Sequence, residues 1–195
     1  MPDIDIDFAN RDKILDIVEH VKARRLTDSG VAHHNTGIYP HSIPNDPVTN
    51  IAGIEYKEAE DRGYFKVDFL NVGLYDKIQN EEQLVRLMTT EPLWDLLEQK
   101  DFCDLVFHIN GYHDLVAKLK PNTIEQLAMF LALIRPGKKH LQSKVQIEGW
   151  DSIRDEIWIK TEDSYSFKKS HAVAYAHAIV VQMNQICESI SYGYA

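Results

Sequence analysis

The chain has 195 residues, of which 44% are hydrophobic and 26% are charged, a composition typical of a globular protein with one large domain or two small ones. Its net charge of −9 argues against a simple basic nucleic-acid-binding protein. Two isolated cysteines, and an acidic N-terminus where a signal peptide needs basic residues, predict a cytoplasmic protein without a disulfide framework.

The first predicted element is a strand over residues 1–8. Successive side chains of a strand point to opposite faces, so this segment separates an acidic face from an apolar one. The acidic face carries Asp3, Asp5 and Asp7, and the apolar face carries Ile4, Ile6 and Phe8. We expect the apolar face to be buried in a core and the acidic face to be exposed.

Asn10 is a suitable N-cap for a helix that apolar residues at helical spacing extend to Arg25. Residues 27–50 are rich in Ser, His, Asn, Pro and Gly, which predicts a loop with a short strand around residues 37–39. Its histidines, His33, His34 and His41, lack a fourth ligand for zinc. We therefore expect them to form hydrogen bonds beside the acidic face.

A second strand, Tyr64 to Leu70, has the same design. Phe65, Val67 and Phe69 form its apolar face, which leaves Lys66 and Asp68 together on the opposite face. Carboxylates shared between two strands suit Mg²⁺ or Mn²⁺, and pairs of such ions roughly 3.5–4 Å apart are used for phosphoryl and nucleotidyl transfer. The alternative is that the acids only mark the solvent side of an edge strand.

The second half of the chain is predicted to be mostly helical. A helix is expected from about Val72 to Met88, a short strand over Leu105–Ile109, a helix from the Thr123 capping box to about Ile134, and a last helix over residues 170–190. Polar residues interrupt the last helix, which therefore indicates burial rather than a membrane span. Basic residues cluster near two of these elements and permit a local phosphate-binding surface: Arg135, Lys138, Lys139, Lys144, Lys168 and Lys169.

In chain order, five segments resemble motifs of the C-family DNA polymerases, the bacterial DNA polymerase III alpha subunits. Residues 2–8 are similar to the first palm motif and residues 66–70 to the second; the segment from Gly37 to Thr49 resembles the connection between them. Residues 106–137, ending in Arg135-Pro136-Gly137, resemble the start of the fingers. Residues 165–175, with a Lys-Ser-His-x-x-x-Tyr pattern, resemble a late fingers motif.

The resemblance implies roles for particular residues. It assigns the metal-binding, catalytic acids to Asp5, Asp7 and Asp68, with Mg²⁺ or Mn²⁺ as cofactor, and a phosphate-facing role to Lys66. It assigns nucleotide or DNA contacts to Arg135, Lys168, Lys169 and His171. The implied substrates are a DNA primer-template and deoxynucleoside triphosphates, and the implied setting is the cytoplasm of a bacterium or of a phage-infected cell.

The implied fold is α+β: a small mixed β-sheet palm of the polymerase beta-like nucleotidyltransferase type, incomplete, over residues 1–90, and a mostly helical fingers-like region over residues 91–195. The chain departs from the family in being several times shorter and in lacking its glycine-serine motif, which cradles the triphosphate. We therefore expect a second polypeptide to supply the missing palm half. A non-catalytic DNA-binding replication module, a degenerate polymerase remnant, and another two-metal nucleotidyltransferase or phosphodiesterase remain alternatives.

Overall fold

A computed structural model describes residues 4–160 and 167–191, so Asp3 of the predicted acidic face lies outside the described residues. The chain divides into two compact units, Met1–Ile78 and Gln79–Ala195, here called the N-terminal and C-terminal units. This division lies twelve residues before the boundary expected after residue 90. The cause is the helix Glu81–Thr89, which packs against the long helix Lys169–Ser191 of the C-terminal unit.

The N-terminal unit contains a five-stranded mixed sheet, which confirms the α+β class. Its strands are β1 (Ile4–Phe8), β2 (Val21–Thr27), β3 (Gly30–Tyr39), β4 (Ile51–Glu55) and β5 (Val67–Asn71), in the spatial order β1-β5-β3-β2-β4. β1 is parallel to β5 and β2 is parallel to β4, whereas β3 is antiparallel to both of its neighbours. Two short helices accompany the strands, α1 (Arg11–Leu15) and α2 (Tyr56–Asp61).

One face of β1 and β5 packs as an apolar cluster, with the rings of Phe8 and Phe69 4.7 Å apart. The expectation that all of the apolar face of β1 is buried is wrong, because Ile4 is 36% exposed and Ile6 is 40% exposed. β1 lies at the edge of the sheet, and the helix that packs on this cluster, α1, is only five residues long.

The predicted helix from Asn10 to Arg25 is also wrong beyond Leu15. Residues 21–27 form β2, and the first part of the expected loop is β3, with Asp28 and Ser29 making the turn between them. The hydroxyl of Thr27 donates a hydrogen bond to the carbonyl of Gly30 at 2.9 Å and closes this turn. Pairing of β2 with strands on both sides, which buries Ala23 completely, outweighs the local helical spacing.

The C-terminal unit is helical within the described residues. Its helices are α3 (Glu81–Thr89), α4 (Lys100–Cys103), α5 (His113–Leu119), α6 (Ile124–Leu133), α7 (Gln142–Glu148) and α8 (Lys169–Ser191), with 3₁₀ segments between α3 and α4, between α6 and α7, and between α7 and α8. α6 is buried on nearly all sides and packs along α8, so these two helices form the centre of the core. No helix among the described residues is long and apolar enough to cross a membrane.

The caps explain which helices the sequence predicts well. The Thr123 hydroxyl accepts a hydrogen bond from the backbone N–H of Gln126 at 3.1 Å, and α6 begins where the capping box predicts.

The expected strand over Leu105–Ile109 is absent. His108 has a φ of 62°, which interrupts an extended backbone, and the amide of Gln182 satisfies the carbonyl of Leu105 and the N–H of Phe107.

A buried amide joins α3 to α8. Nδ2 of Asn184 donates hydrogen bonds to the carbonyls of Leu87 at 2.9 Å and Thr90 at 2.8 Å, at the end of α3. Replacement of Asn184 by alanine leaves both carbonyls without this donor and should lower the free energy of unfolding by about 2–3 kcal/mol. Urea denaturation checks this. Ser191→Ala, at an exposed position of the same helix, should change stability by less than about 0.5 kcal/mol; equal effects of the two changes would contradict the assignment.

Candidate functional site

The pairing of β1 with β5 brings the predicted acids to one region of the sheet. In this register Asp5 lies directly opposite Asp68, and Asp7 lies two residues further along β1 on the same face. Paired strands are about 4.8 Å apart, and alternate residues of one strand are about 6.6 Å apart. Asp5 is half-buried and Asp7 is exposed. The three acids therefore share one face of two adjacent strands.

Asp68 differs from the expectation that it lies on an exposed face: its residue is only 9% exposed. It lies on β5, between β1 and β3, and both of its carboxylate oxygens have protein partners. Oδ2 forms an ion pair with the ammonium of Lys66, and Oδ1 accepts a hydrogen bond from the Thr36 hydroxyl at 2.8 Å. Asp68 is therefore fixed in a built polar cluster.

An irregularity of β3 positions Thr36 and a further neighbour of Asp68, His34. Three residues of β2, from Lys22 to Arg24, lie opposite six residues of β3, from His33 to Ile38, so β3 contains extra residues at this point. These residues include His34 and Thr36, which regular alternation from the Gly37–Asp68 pair would place on the face opposite Asp68. The sequence carries no clear signal for this bulge, and it predicted neither side chain as a partner of Asp68.

His34 is part of the cluster as a neutral imidazole. Its Nδ1 accepts a hydrogen bond from the backbone N–H of Gly37 at 2.9 Å and lies 3.5 Å from Oδ1 of Asp68. Burial lowers the pKa of His34 below its usual value, and the charge of Asp68 opposes this shift only in part. The expected hydrogen-bonding role of this histidine is thus confirmed. His41 has a similar role, because its Nε2 contacts the backbone of Phe65.

Lys66 fits into a space that the absence of a side chain at Gly37 creates. A Cβ at position 37 would lie 2.9 Å from Cδ of Lys66 and 2.9 Å from Nδ1 of His34. The ammonium of Lys66 also lies 5.9 Å from the ring centroid of Tyr56, on α2. Gly37 and Tyr56 are therefore functional candidates that the sequence analysis missed.

The chemistry of the donor set suits a hard divalent cation, because it consists of carboxylates on one face. Among residues 4–160 and 167–191, however, no three His, Cys, Asp or Glu side chains are grouped so that they could hold a metal ion. The carboxylate of Asp68 is directed to Lys66 and Thr36 instead. The residues fit Mg²⁺ or Mn²⁺ in type and in strand position, and in this structure Lys66 neutralises Asp68.

The predicted nucleotide- or DNA-binding residues belong to the C-terminal unit. The guanidinium of Arg135 lies 4.6 Å from the ring centroid of Phe167, and the imidazole of His171 lies 6.1 Å from the same ring. Lys169 lies 5.9 Å from the ring of Trp158, and Lys168 is exposed. The structure thus brings Arg135 and His171 together around one aromatic ring. Tyr165 and Ser166 of the same motif lie outside the described residues.

The basic residues around Arg135 are less available for binding phosphate than the sequence suggests. Lys138 is 2% exposed, and its ammonium donates a hydrogen bond to the carbonyl of Glu156 at 2.8 Å. Burial lowers the pKa of Lys138. Lys144 forms an ion pair with the Glu156 carboxylate at 2.9 Å. Two of the four basic residues are therefore used inside the unit and not at a phosphate-binding surface.

An open cleft of about 420 Å³ in the N-terminal unit is a competing location, lined by Glu19, His20, Val21, Pro40, His41, Ser42, Ile43, Asn45 and Asn50. Its polar side chains mostly hold the local backbone: the Asn50 amide donates to the carbonyl of His20, and His41 contacts the backbone of Phe65. We therefore place the candidate site on β1 and β5.

No protein-family model, no curated protein and no solved structure matches the chain. The interpretation of the site therefore rests on the residues of this chain, on their geometry and on the motif resemblance.

Substitution of Gly37 by alanine tests the packing of the cluster. The added Cβ would press on His34 and Lys66, so we expect a loss of about 1–3 kcal/mol in the free energy of unfolding. Urea denaturation measures this loss. Gly73→Ala is the matched control, because no atom lies within 4 Å of a Cβ at that position. A Gly37→Ala variant as stable as Gly73→Ala would contradict the described packing.

His108 generates a prediction about pH. It lies 4.3 Å from the ring of Tyr175, and burial, followed by the charge of Arg135, lowers its pKa below the usual 6.5. As pH falls below about 6.5 the unfolded chain gains a proton that the folded chain does not, so stability decreases. His108→Asn keeps a residue that tolerates positive φ and should reduce this decrease between pH 7.5 and pH 5.5 in urea denaturation. His140→Asn, at an exposed position, serves as control; an unchanged pH dependence in His108→Asn would refute the prediction.

Proposed function

We propose that the chain is the catalytic half of a miniature C-family DNA polymerase and carries out DNA-templated nucleotidyl transfer with Mg²⁺ or Mn²⁺ held by Asp5, Asp7 and Asp68. The observation that supports this most strongly is the β1–β5 register, which places Asp5 opposite Asp68 with Asp7 on the same face. In this proposal the mixed sheet is an incomplete palm of the polymerase beta-like nucleotidyltransferase type, and the helical unit corresponds to the fingers.

When bound, divalent ions would supply charge stabilisation for the attacking hydroxyl and the leaving pyrophosphate. The protein's own residues supply the rest. Asp5, Asp7 and Asp68 provide oxygen ligands from adjacent strands, and Lys66 carries a positive charge on the same face for a phosphate oxygen. The Thr36 hydroxyl, which donates a hydrogen bond to Oδ1, holds Asp68 in position.

The C-terminal unit contributes nucleotide or template contacts in this proposal. Arg135 keeps its guanidinium over the Phe167 ring, and its terminal nitrogens would donate hydrogen bonds to a phosphate. Lys168 and Lys169 add exposed charge, and His171 lies beside the same ring. These residues would hold the triphosphate or the template strand by charge and stacking.

The described residues include no equivalent of the glycine-serine motif that cradles the triphosphate in the family. Fixed donors around a reacting phosphate supply most of the rate in such reactions. We therefore propose that a second polypeptide completes the site and that the isolated chain extends primers weakly or not at all.

One observation favours a second candidate, a non-catalytic DNA-binding replication module. Asp68 already has a protein cation as its partner, as expected for an acid that has a structural role. In that case the chain would bind DNA, and its affinity would not depend on a divalent ion.

Primer extension with Mg²⁺, with and without a partner that carries the missing motif, tests the proposal. Asp5→Asn removes a half-buried carboxylate ligand and should reduce the reconstituted activity by about 10³-fold or more. Asp28→Asn, in the β2–β3 turn, is the matched control and should keep full activity.

Asp68→Asn is a less clean test than Asp5→Asn. It would leave the Lys66 ammonium without its carboxylate and should cost about 3 kcal/mol of stability, contrary to the expectation of a solvent-exposed acid. Reconstituted synthesis that survives Asp5→Asn would refute the polymerase assignment. Vigorous synthesis by the isolated chain would refute the need for a partner, and DNA binding without any activity would favour the second candidate.

A further inference from the structure

The ion pair between Lys66 and Asp68 is more enclosed than a surface salt bridge. The side chain of Lys66 is 15% exposed and that of Asp68 is 13% exposed. The second carboxylate oxygen is taken by the Thr36 hydroxyl at 2.8 Å. Both oxygens of the central acid are thus occupied by groups of the protein.

Contacts with neighbouring elements fix the position of the Lys66 side chain. Its stem passes over Gly37, where a Cβ would approach Cδ of Lys66 to 2.9 Å, and its ammonium lies 5.9 Å from the Tyr56 ring centroid. Three separate elements, β3, β5 and α2, therefore hold one ammonium against Asp68. This arrangement places a protein cation at the face where Asp5 lies opposite Asp68.

A divalent ion bound to Asp68 cannot share the same oxygen with an ammonium at hydrogen-bond distance, because the two cations repel strongly at that separation. Either cation neutralises the carboxylate of Asp68, so the carboxylate then attracts the other cation less strongly. Binding of one must therefore weaken binding of the other, and the coupling is reciprocal.

We propose that Lys66 is a built-in counter-cation of the site, which occupies Asp68 until a divalent metal ion displaces it. This inference rests on the proposed metal site and adds to it a competition that sets metal affinity. Displacement releases the Lys66 ammonium from Asp68 on the same face. Binding of the metal ion and binding of an anionic phosphate group therefore both favour the state in which Lys66 is separated from Asp68.

Titration of the intact chain with Mn²⁺ alone, followed by calorimetry or by the electron paramagnetic resonance of free Mn²⁺, tests the competition. Lys66→Met should bind Mn²⁺ about tenfold more tightly than the unaltered chain, because the competitor is gone. Lys57→Met is the matched control. The Lys57 ammonium lies 5.8 Å from the same Tyr56 ring, but its side chain is exposed and it does not pair with Asp68. It should leave the Mn²⁺ affinity within about twofold.

The possible results distinguish the counter-cation role of Lys66 from the proposed metal site itself. Equal or weaker Mn²⁺ binding by Lys66→Met, with clear binding by the unaltered chain, overturns the counter-cation role and leaves the metal site standing. No binding by either protein overturns the proposed function as well. Binding only by Lys66→Met supports the inference in its strongest form.

A second measurement covers the case in which Lys66→Met does not fold. In the unaltered chain, ¹⁵N-labelled lysine gives an ammonium signal for Lys66 that Lys66→Arg identifies by its loss. Saturating Mg²⁺ should shift this signal and speed its exchange with water, and Asp5→Asn should suppress the change. The inference is overturned if the protein demonstrably binds Mg²⁺ and the Lys66 signal stays constant throughout the titration.

Discussion

Parallel pairing of β1 with β5 is the constraint on which the candidate site depends. It places Asp5 opposite Asp68, and carboxylates in directly opposed positions repel unless a cation lies between or beside them. The protein provides such a cation in Lys66, in an enclosed ion pair. The Lys66–Asp68 ion pair, which relieves this repulsion in the folded chain, is therefore also the contact with which an external cation would compete.

The cluster around Asp68 also shows why the site has the residues it has. Gly37 leaves room for the stem of Lys66, the bulge in β3 delivers Thr36 and His34, and Tyr56 closes one side. Breaking an enclosed ion pair by removing one partner costs more stability than the pair contributes, so a substitution of either the acid or the lysine destabilises the cluster. A structural role and a catalytic role at Asp68 are therefore compatible.

The C-terminal unit presents a different kind of surface. Its core is apolar, with α6 buried on nearly every side, while Arg135, Phe167 and His171 come together near the beginning of α8. An arginine held over an aromatic ring has lost part of its side-chain freedom before any ligand arrives, which reduces the entropic cost of binding an anion. Burial of Lys138 restricts this surface to fewer charges than the sequence indicates.

Alternation and capping predicted the features that depend on neighbouring residues: β1, β5, α6 and α8. The shared face of Asp5 and Asp68 requires only the strand period and the pairing of the two strands. What the sequence could not predict depends on distant partners. Residues 21–27 are a strand because β3 and β4 flank them, and residues 105–109 are not a strand because Gln182 satisfies their backbone. The burial of Asp68 likewise depends on a bulge without a local signal.

The most direct test of the proposed metal site is a crystal structure of the chain with Mn²⁺, with the metal located by its anomalous scattering. The account predicts a Mn²⁺ peak bonded to Asp5 and Asp68 at about 2.1–2.2 Å, with the Lys66 ammonium moved away from Asp68. Crystals saturated with Mn²⁺ that show no peak on this face, and Lys66 still paired with Asp68, would contradict it.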